Sequence, residues 1–126
     1  MRDFAIQVTH RPGEIARVAD ALATKEVNIK SIAGLNIGNQ GMFHIIPDDV
    51  AAARAALQAS NIRFEEHEVV TVLLENQAGE LAGLGVKLVD AGVNVFAIFV
   101  TGLEGDLVEL AVIADDPKKA KKALEG

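Results

Sequence analysis

One stretch of this chain is written twice. Residues 10–32 read HRPGEIARVADALATKEVNIKSI, and residues 76–98 read NQAGELAGLGVKLVDAGVNVFAI. Laid over one another without a gap, Gly13 meets Gly79, Glu14 meets Glu80, Ala16 meets Ala82 and Leu22 meets Leu88. Val27 then meets Val93, Asn28 meets Asn94 and Ile32 meets Ile98. After one inserted residue, Ile46-Pro47-Asp48-Asp49 meets Ile113-Ala114-Asp115-Asp116. The identities fall at turn positions as well as on the apolar pattern, so shared periodicity alone does not account for them. Two copies are too few for a solenoid, whose repeats bury one another's faces. The repeat predicts two sister domains, residues 1–68 and 69–126.

Both copies predict the same order of elements. Phe4 to Val8 and Val70 to Leu74 are short apolar runs of strand type. Ile15, Val18, Ala19 and Leu22, and then Leu81, Leu84 and Leu88, recur at helical spacing. Pro12 suits the first turn of the first helix, and Gly92 the stop of its sister. Strands are expected from Asn28 to Ile37 and from Asn94 to Thr101, turning at Gly38–Gly41 and Gly102–Gly105. Return strands run from Met42 to Ile46 and from Leu107 to Ile113. Asp48 and the pair Asp115/Asp116 offer N-cap oxygens to a second helix in each copy. A last strand is expected between Ile62 and Val69, and the second copy lacks its counterpart. The fold class is therefore α+β, two ferredoxin-like βαββαβ units with antiparallel sheets and helices on one face. One sheet edge of the second copy is then expected to lack cover, unless the linker strand or another chain supplies it.

Half of the residues are apolar, but Trp, Tyr and Cys are absent. That removes disulfides, thiolate metal sites and cysteine nucleophiles together. His10, His44 and His67 lie on separate elements and lack the spacing of a metal motif. The run Glu65-Glu66-His67-Glu68 reads as a solvated edge or linker, and the lysines at 118, 119, 121 and 122 as a solvated helix face. No metal and no cofactor is expected. A net charge of −6 and few aromatics argue against nucleic acid, which needs a basic face. No apolar run is long enough to cross a bilayer and no basic leader precedes one, so the expected location is the cytoplasm and no membrane partner is expected. Ser31 and Ser60 have no base beside them in sequence, so no catalytic residue is assigned and no enzyme activity is expected.

Gly13 and Gly79 stand where a strand gives way to a helix. Unpaired N–H groups and the positive end of the helix dipole make such a start a carboxylate or phosphate site, and glycine lets a ligand approach the backbone. Asn28 and Asn94 each follow a valine at the next strand, with a donor and an acceptor that suit a zwitterion.

The pattern of apolar strand, x-Pro-Gly-x-[Ile/Leu], amphipathic helix and x-Val-Asn-Ile resembles the ACT domain, a regulatory module of enzymes of amino-acid metabolism. It is carried by His10-Arg11-Pro12-Gly13-Glu14-Ile15 with Val27-Asn28-Ile29, and by Leu74-Glu75-Asn76-Gln77-Ala78-Gly79-Glu80-Leu81 with Val93-Asn94-Val95. The two copies cover nearly the whole chain, as in stand-alone tandem ACT proteins. The resemblance implies that units pair edge to edge through their second strands, and that an amino acid sits between one unit's glycine loop and its neighbour's asparagine strand. The implied ligand-binding residues are His10, Arg11, Pro12, Gly13, Glu14, Ile15, Asn28 and Ile29 in the first copy. In the second they are Asn76, Gln77, Ala78, Gly79, Glu80, Leu81, Asn94 and Val95. Asn76 fits the pattern where His10 departs from it, and Ala78 replaces the proline, so the two sites need not be equal. The expected protein is an amino-acid-binding allosteric regulator, a homodimer, with an enzyme of amino-acid metabolism as partner. The alternative is a regulatory subunit that docks on such an enzyme without a ligand of its own.

Overall fold

Alternating side chains set the architecture. The computed structural model describes residues 1–9 and 11–125 of the chain, which divides into two units, the first Met1–His67 and the second beginning at Glu68. In the first unit β1 (Arg2–Thr9) sends Phe4, Ile6 and Val8 to one face, as period-two alternation requires. Between β1 and β2 (Ile29–Ile37) lies α1 (Glu14–Thr24), and between β3 (Gln40–Pro47) and β4 (Glu65–Glu68) lies α2 (Val50–Ala59). The sheet order is β2-β3-β1-β4, with β3 antiparallel to both β1 and β2. Phe4, Ile6 and Ile45 meet Val18 and Leu22 of α1 and Ala53 and Leu57 of α2 in one core. Each large aliphatic side chain buried there contributes roughly 1.5–3 kcal/mol.

The second unit repeats this with β5 (Val70–Glu75), α3 (Glu80–Asp90), β6 (Val95–Glu104), β7 (Leu107–Ala114) and α4 (Pro117–Glu125). Its sheet has the order β5-β7-β6, antiparallel throughout. Val70, Leu110 and Val112 pack with Leu84, Leu88 and Ala120 in a separate core. Among the described residues no strand lies beside β5 at the edge that β4 covers on β1. The chain thus has the expected α+β form of two ferredoxin-like units, the second short of one strand.

The inserted residue of the second copy is a β-bulge. In the first unit Gly34 and Leu35 face Phe43 and Met42 in unbroken register. In the second, Val100 and Gly102 face Leu110 and Glu109, so Thr101 is the extra residue. Its hydroxyl donates to Glu109 Oε1 at 2.6 Å. The bulge carries β6 on to Glu104, so the hairpin closes at Gly105-Asp106 and not across Gly102–Gly105 as expected. In the first copy the loop is also only two residues long, Gly38-Asn39. Gly38 and Gly105 adopt φ of 60° and 59° at the first central position, which favours glycine.

Other expectations need correction. Asp48 is not a cap: Asp49 accepts from the Ala52 N–H at 3.0 Å, and Asp116 accepts from Lys119 N–H at 3.1 Å. Pro12 lies in the turn before α1, whose N-cap is Gly13. Ile15 and Leu81 are 45% and 60% exposed, so the first apolar residue of each helical stripe is not core. The run Glu65–Glu68 is no linker but β4, where Glu66 accepts from Arg54 at 2.7 and 2.8 Å and from Arg2 at 3.1 Å.

Candidate functional site

The four helices of the described residues begin in two different ways. Asp49 and Asp116 each accept from a first-turn N–H of α2 and α4. α1 and α3 begin on Gly13 and Gly79, both at φ 91° in the left-handed region, and among the described residues no side chain caps either. A non-glycine residue would be strained at that φ. A Cβ built at either position meets nothing within 4 Å, so the backbone there is open to approach. Helix-start N–H groups left without a side-chain acceptor, at the positive end of the dipole, suit a carboxylate.

A cavity adjoins each glycine loop at the matching place. In the first unit, about 340 Å³ lies between Arg11, Gly13 and Ile15 on the loop side and Gly34, Asn36 and Phe43 on the strands. In the second, about 290 Å³ lies between Asn76, Gln77 and Leu81 and the strand residues Ile98, Val100 and Leu110. Ile15 and Leu81 are exposed because they wall these cavities. Gly34 and Val100 fill corresponding places, and a Cβ on Gly34 would come within 3.0 Å of the Phe43 ring. The first cavity therefore owes part of its room to a glycine.

The two cavities differ in charge. Glu14 is buried and accepts from Arg11 Nε at 2.6 Å and from Arg17 Nη2 at 2.8 Å. Those hydrogen bonds, Arg17's first and Arg11's next, hold its carboxyl below the usual carboxylate range. Glu80 lines the second cavity, but Gln77 and Gly83 stand where Arg11 and Arg17 stand in the first copy. One cavity has a neutralised carboxylate at its mouth, and the other has a carboxylate without those two cations.

Of the residues singled out in the sequence, Arg11, Pro12, Gly13, Glu14 and Ile15 gather at the first cavity. Asn76, Gln77, Glu80 and Leu81 gather at the second, with Ala78 and Gly79 in the same loop. His10 lies outside the described residues. Asn28, Ile29, Asn94 and Val95 line neither cavity. They stand where β2 and β6 begin, at the opposite end of the sheet from the glycine loops, since Ile29 pairs with Pro47 while Thr9 pairs with Gln40. Asn28 and Asp48 exchange backbone and side-chain hydrogen bonds: each backbone N–H finds its partner's oxygen at 3.0 Å. Asn94 and Asp115 repeat this at 3.1 and 3.0 Å. The strand residues Gly34, Asn36, Phe43, Ile98 and Val100 were not singled out. Their only signal is alternation on the helix-facing side of a strand, an edge strand for all but Phe43 on the inner strand β3, and that reads equally as core.

A second polar cluster lies in the first unit. Asp3, fully buried, approaches His44 Nδ1 at 2.8 Å and His67 Nδ1 at 3.5 Å. His44 is thus hydrogen-bonded to a buried carboxylate, with His67 beside it. Among the described residues no group of side chains is arranged to hold a metal ion, and no helix is long and apolar enough to cross a membrane.

No protein-family model and no curated protein matches the sequence. Solved structures do resemble it. A protein from Bacteroides thetaiotaomicron superposes with a TM-score of 0.84 at 18% identity, covering 98% of this chain and 85% of that one. The aspartokinase alpha and beta subunits match at 0.69 and 16%, over 98% and 89% of the two chains. The ligand-free regulatory subunit of aspartate kinase from Thermus thermophilus matches at 0.65 and 17%, again over 98% and 89%. At such identities the likeness is one of fold, and that fold is the tandem ACT-domain fold.

Proposed function

We propose that this protein is a non-catalytic regulator that binds a free amino acid at its glycine loops. The observation that carries the reading is the paired, uncapped helix start at Gly13 and Gly79, each beside a cavity of amino-acid size. The ligand carboxylate rests on the loop and first-turn N–H groups, where dipole and donors converge. Its side chain lies against Leu81, Ile98 and Val100 in the second unit, which favours an apolar amino acid. Asn28 or Asn94 of a neighbouring ACT unit reaches the ligand from the far side, within a homodimer whose units meet along the β2 and β6 edges. Both are edge strands, and Ile32, Ile98 and Val100 on them are exposed. The setting is the cytoplasm, and the output is allosteric control of an enzyme of amino-acid metabolism. The fold shared with aspartate kinase regulatory subunits supports this reading.

Isothermal titration with the free amino acids tests it. One of them is expected to saturate the chain. Asn94→Ala should weaken binding roughly tenfold or more, the loss of one charge-assisted hydrogen bond. Gly79→Val should abolish binding in a chain that circular dichroism shows still folded. If no amino acid binds at millimolar concentration the proposal fails, and if Asn94→Ala binds as tightly as wild type the asparagine assignment fails.

A further inference from the structure

The floors of the two cavities differ at three matching places. Gly34 on β2 and Gly41 and Phe43 on β3 line the first. The strand registers put Val100, Val108 and Leu110 at those places in the second. With no side chains on the two glycines, the Phe43 ring leans over Gly34 and Val8 leans over Gly41. A Cβ built on Gly34 would meet that ring at 3.0 and 3.1 Å, and one built on Gly41 would meet Val8 Cγ2 at 2.9 Å. The first floor is therefore low, and a half-buried aromatic ring lies along it. Among the described residues no other ring stacks on Phe43. A planar ligand group finds an aromatic partner there, and branched aliphatic side chains at the same three places of the second cavity.

The polar side of the first cavity suits an anion. Among the described residues Arg11 donates only its Nε–H, to Glu14, which leaves both Nη groups for a carboxylate. The bond to buried Glu14 holds the guanidinium in place at the cavity wall. Glu14 is the one carboxylate among the described residues of that wall, and Arg11 and Arg17 already answer it. Two guanidinium groups against one carboxylate leave an excess of positive charge, which repels an ammonium group.

We propose that the first cavity binds an aromatic carboxylate that carries no ammonium group, with its ring against Phe43 over Gly34 and its carboxylate on Arg11. The inference rests on the reading of the glycine loops as ligand sites and narrows it for the first unit. The second cavity, where Glu80 lacks those arginines, keeps the amino acid.

Titration calorimetry of the full chain with phenylpropionate, phenylalanine and cyclohexylpropionate tests it. The first two differ by the ammonium group, and the first and third by the planarity of the ring. Amide NMR shifts at Gly34 and Gly41, set against those at Val100 and Val108, tell which cavity fills. Phenylpropionate is expected to saturate the first cavity, and phenylalanine to bind there on the order of tenfold more weakly. Arg11→Gln should weaken phenylpropionate about tenfold, through loss of a charge-assisted pair. Phe43→Leu should weaken it about fivefold, through loss of the ring contact, and leave cyclohexylpropionate unchanged. Absence of saturation at millimolar phenylpropionate overturns the proposal. So do equal affinities for phenylpropionate and phenylalanine at the first cavity, binding that ignores Arg11→Gln, equal losses for both rings in Phe43→Leu, or shifts confined to Val100 and Val108. An amino acid seated in the second cavity while phenylpropionate binds nowhere overturns this proposal alone. Phenylpropionate in the first cavity with no amino acid bound in either unit upholds it and overturns the amino-acid reading.

Discussion

Glu26 and Gly92 end the first helix of each copy in the same left-handed turn, at φ 57° and 71°. The hydrogen bonds around them match: Val27 N–H reaches Leu22 O at 3.1 Å, and Val93 N–H reaches Leu88 O at 2.9 Å. A residue with a Cβ is disfavoured in this conformation by roughly 1–2 kcal/mol, and glycine is not. Glu26→Gly is therefore expected to stabilise the first unit by about 1 kcal/mol, part of the torsional gain being offset by the freer unfolded chain. Gly92→Ala should destabilise the second by about the same amount, through torsion alone, because a Cβ there meets nothing within 4 Å. Scanning calorimetry reads both. An unchanged or lowered melting temperature in Glu26→Gly would refute the argument.

Asp48 and Asp49 are neighbours with different tasks. Asp49 caps α2, and Asp48 ties α2's entry to the start of β2 through Asn28. Asp49→Ala should cost about 1 kcal/mol, as loss of an N-cap does. Asp48→Ala should also destabilise, by about 1–2 kcal/mol, as the Asn28 N–H loses an ionised acceptor. Asn28 Nδ2 also donates to Asp48 Oδ2 at 3.4 Å, so a double-mutant cycle with Asn28→Ala, which removes that donor and keeps the backbone N–H, separates the two aspartates when read by urea denaturation. Coupling is expected for Asp48 and not for Asp49, and equal coupling for both would contradict the assignment.

The contrast between these aspartates marks what the sequence makes legible. Turn glycines, apolar alternation and the repeat fix element order, because they are local and come twice. Gly13 and Gly79 were legible as helix starts for the same reason. Which of two adjacent aspartates caps a helix depends on one residue of phase, and both are acceptors. Ile15 and Leu81 continue a helical stripe in sequence, but the edge strand beneath them is not covered by the helix, so they wall a cavity instead. The Glu66 clamp and the Asp3 cluster join residues far apart in the chain, where no spacing rule reaches. Thr101 was legible as an insertion but not as a bulge, since a single extra residue fits a longer loop equally well.

Glu66 predicts a pH dependence whose sign is fixed. The two Arg54 hydrogen bonds, and then the one from Arg2, hold its carboxyl below the ordinary value of 4.5. The unfolded chain therefore takes up a proton at this site before the folded one does. The stabilisation is complete above the ordinary value, and it is lost as pH falls from there through the lowered folded-state value. Glu66→Gln should be less stable than wild type at neutral pH, and the gap should close on acidification through that window. Denaturant titrations across pH check this. A gap that stays constant down to the acid limit would mean that the charge of Glu66 contributes nothing.

The difference between Glu14 and Glu80 predicts unequal sites. Glu14 is occupied by Arg11 and Arg17, so its charge is already answered within the fold. Glu80 lines its cavity with Gln77 and Gly83 in the places of those arginines, and in the amino-acid site proposed above its carboxylate would meet the ligand's ammonium group while the ligand's own carboxylate sits on the α3 N–H groups. Glu80→Gln is thus expected to weaken amino-acid binding on the order of tenfold, the worth of one hydrogen bond to a charged group, with little change in thermal unfolding. Glu14→Gln should do the reverse, lowering the stability of the first unit and leaving binding at the second intact. Titration calorimetry and thermal unfolding on the same two variants separate the roles. Undiminished binding by Glu80→Gln would remove the ammonium from this carboxylate, and a loss of binding in Glu14→Gln alone would move the stronger site to the first copy.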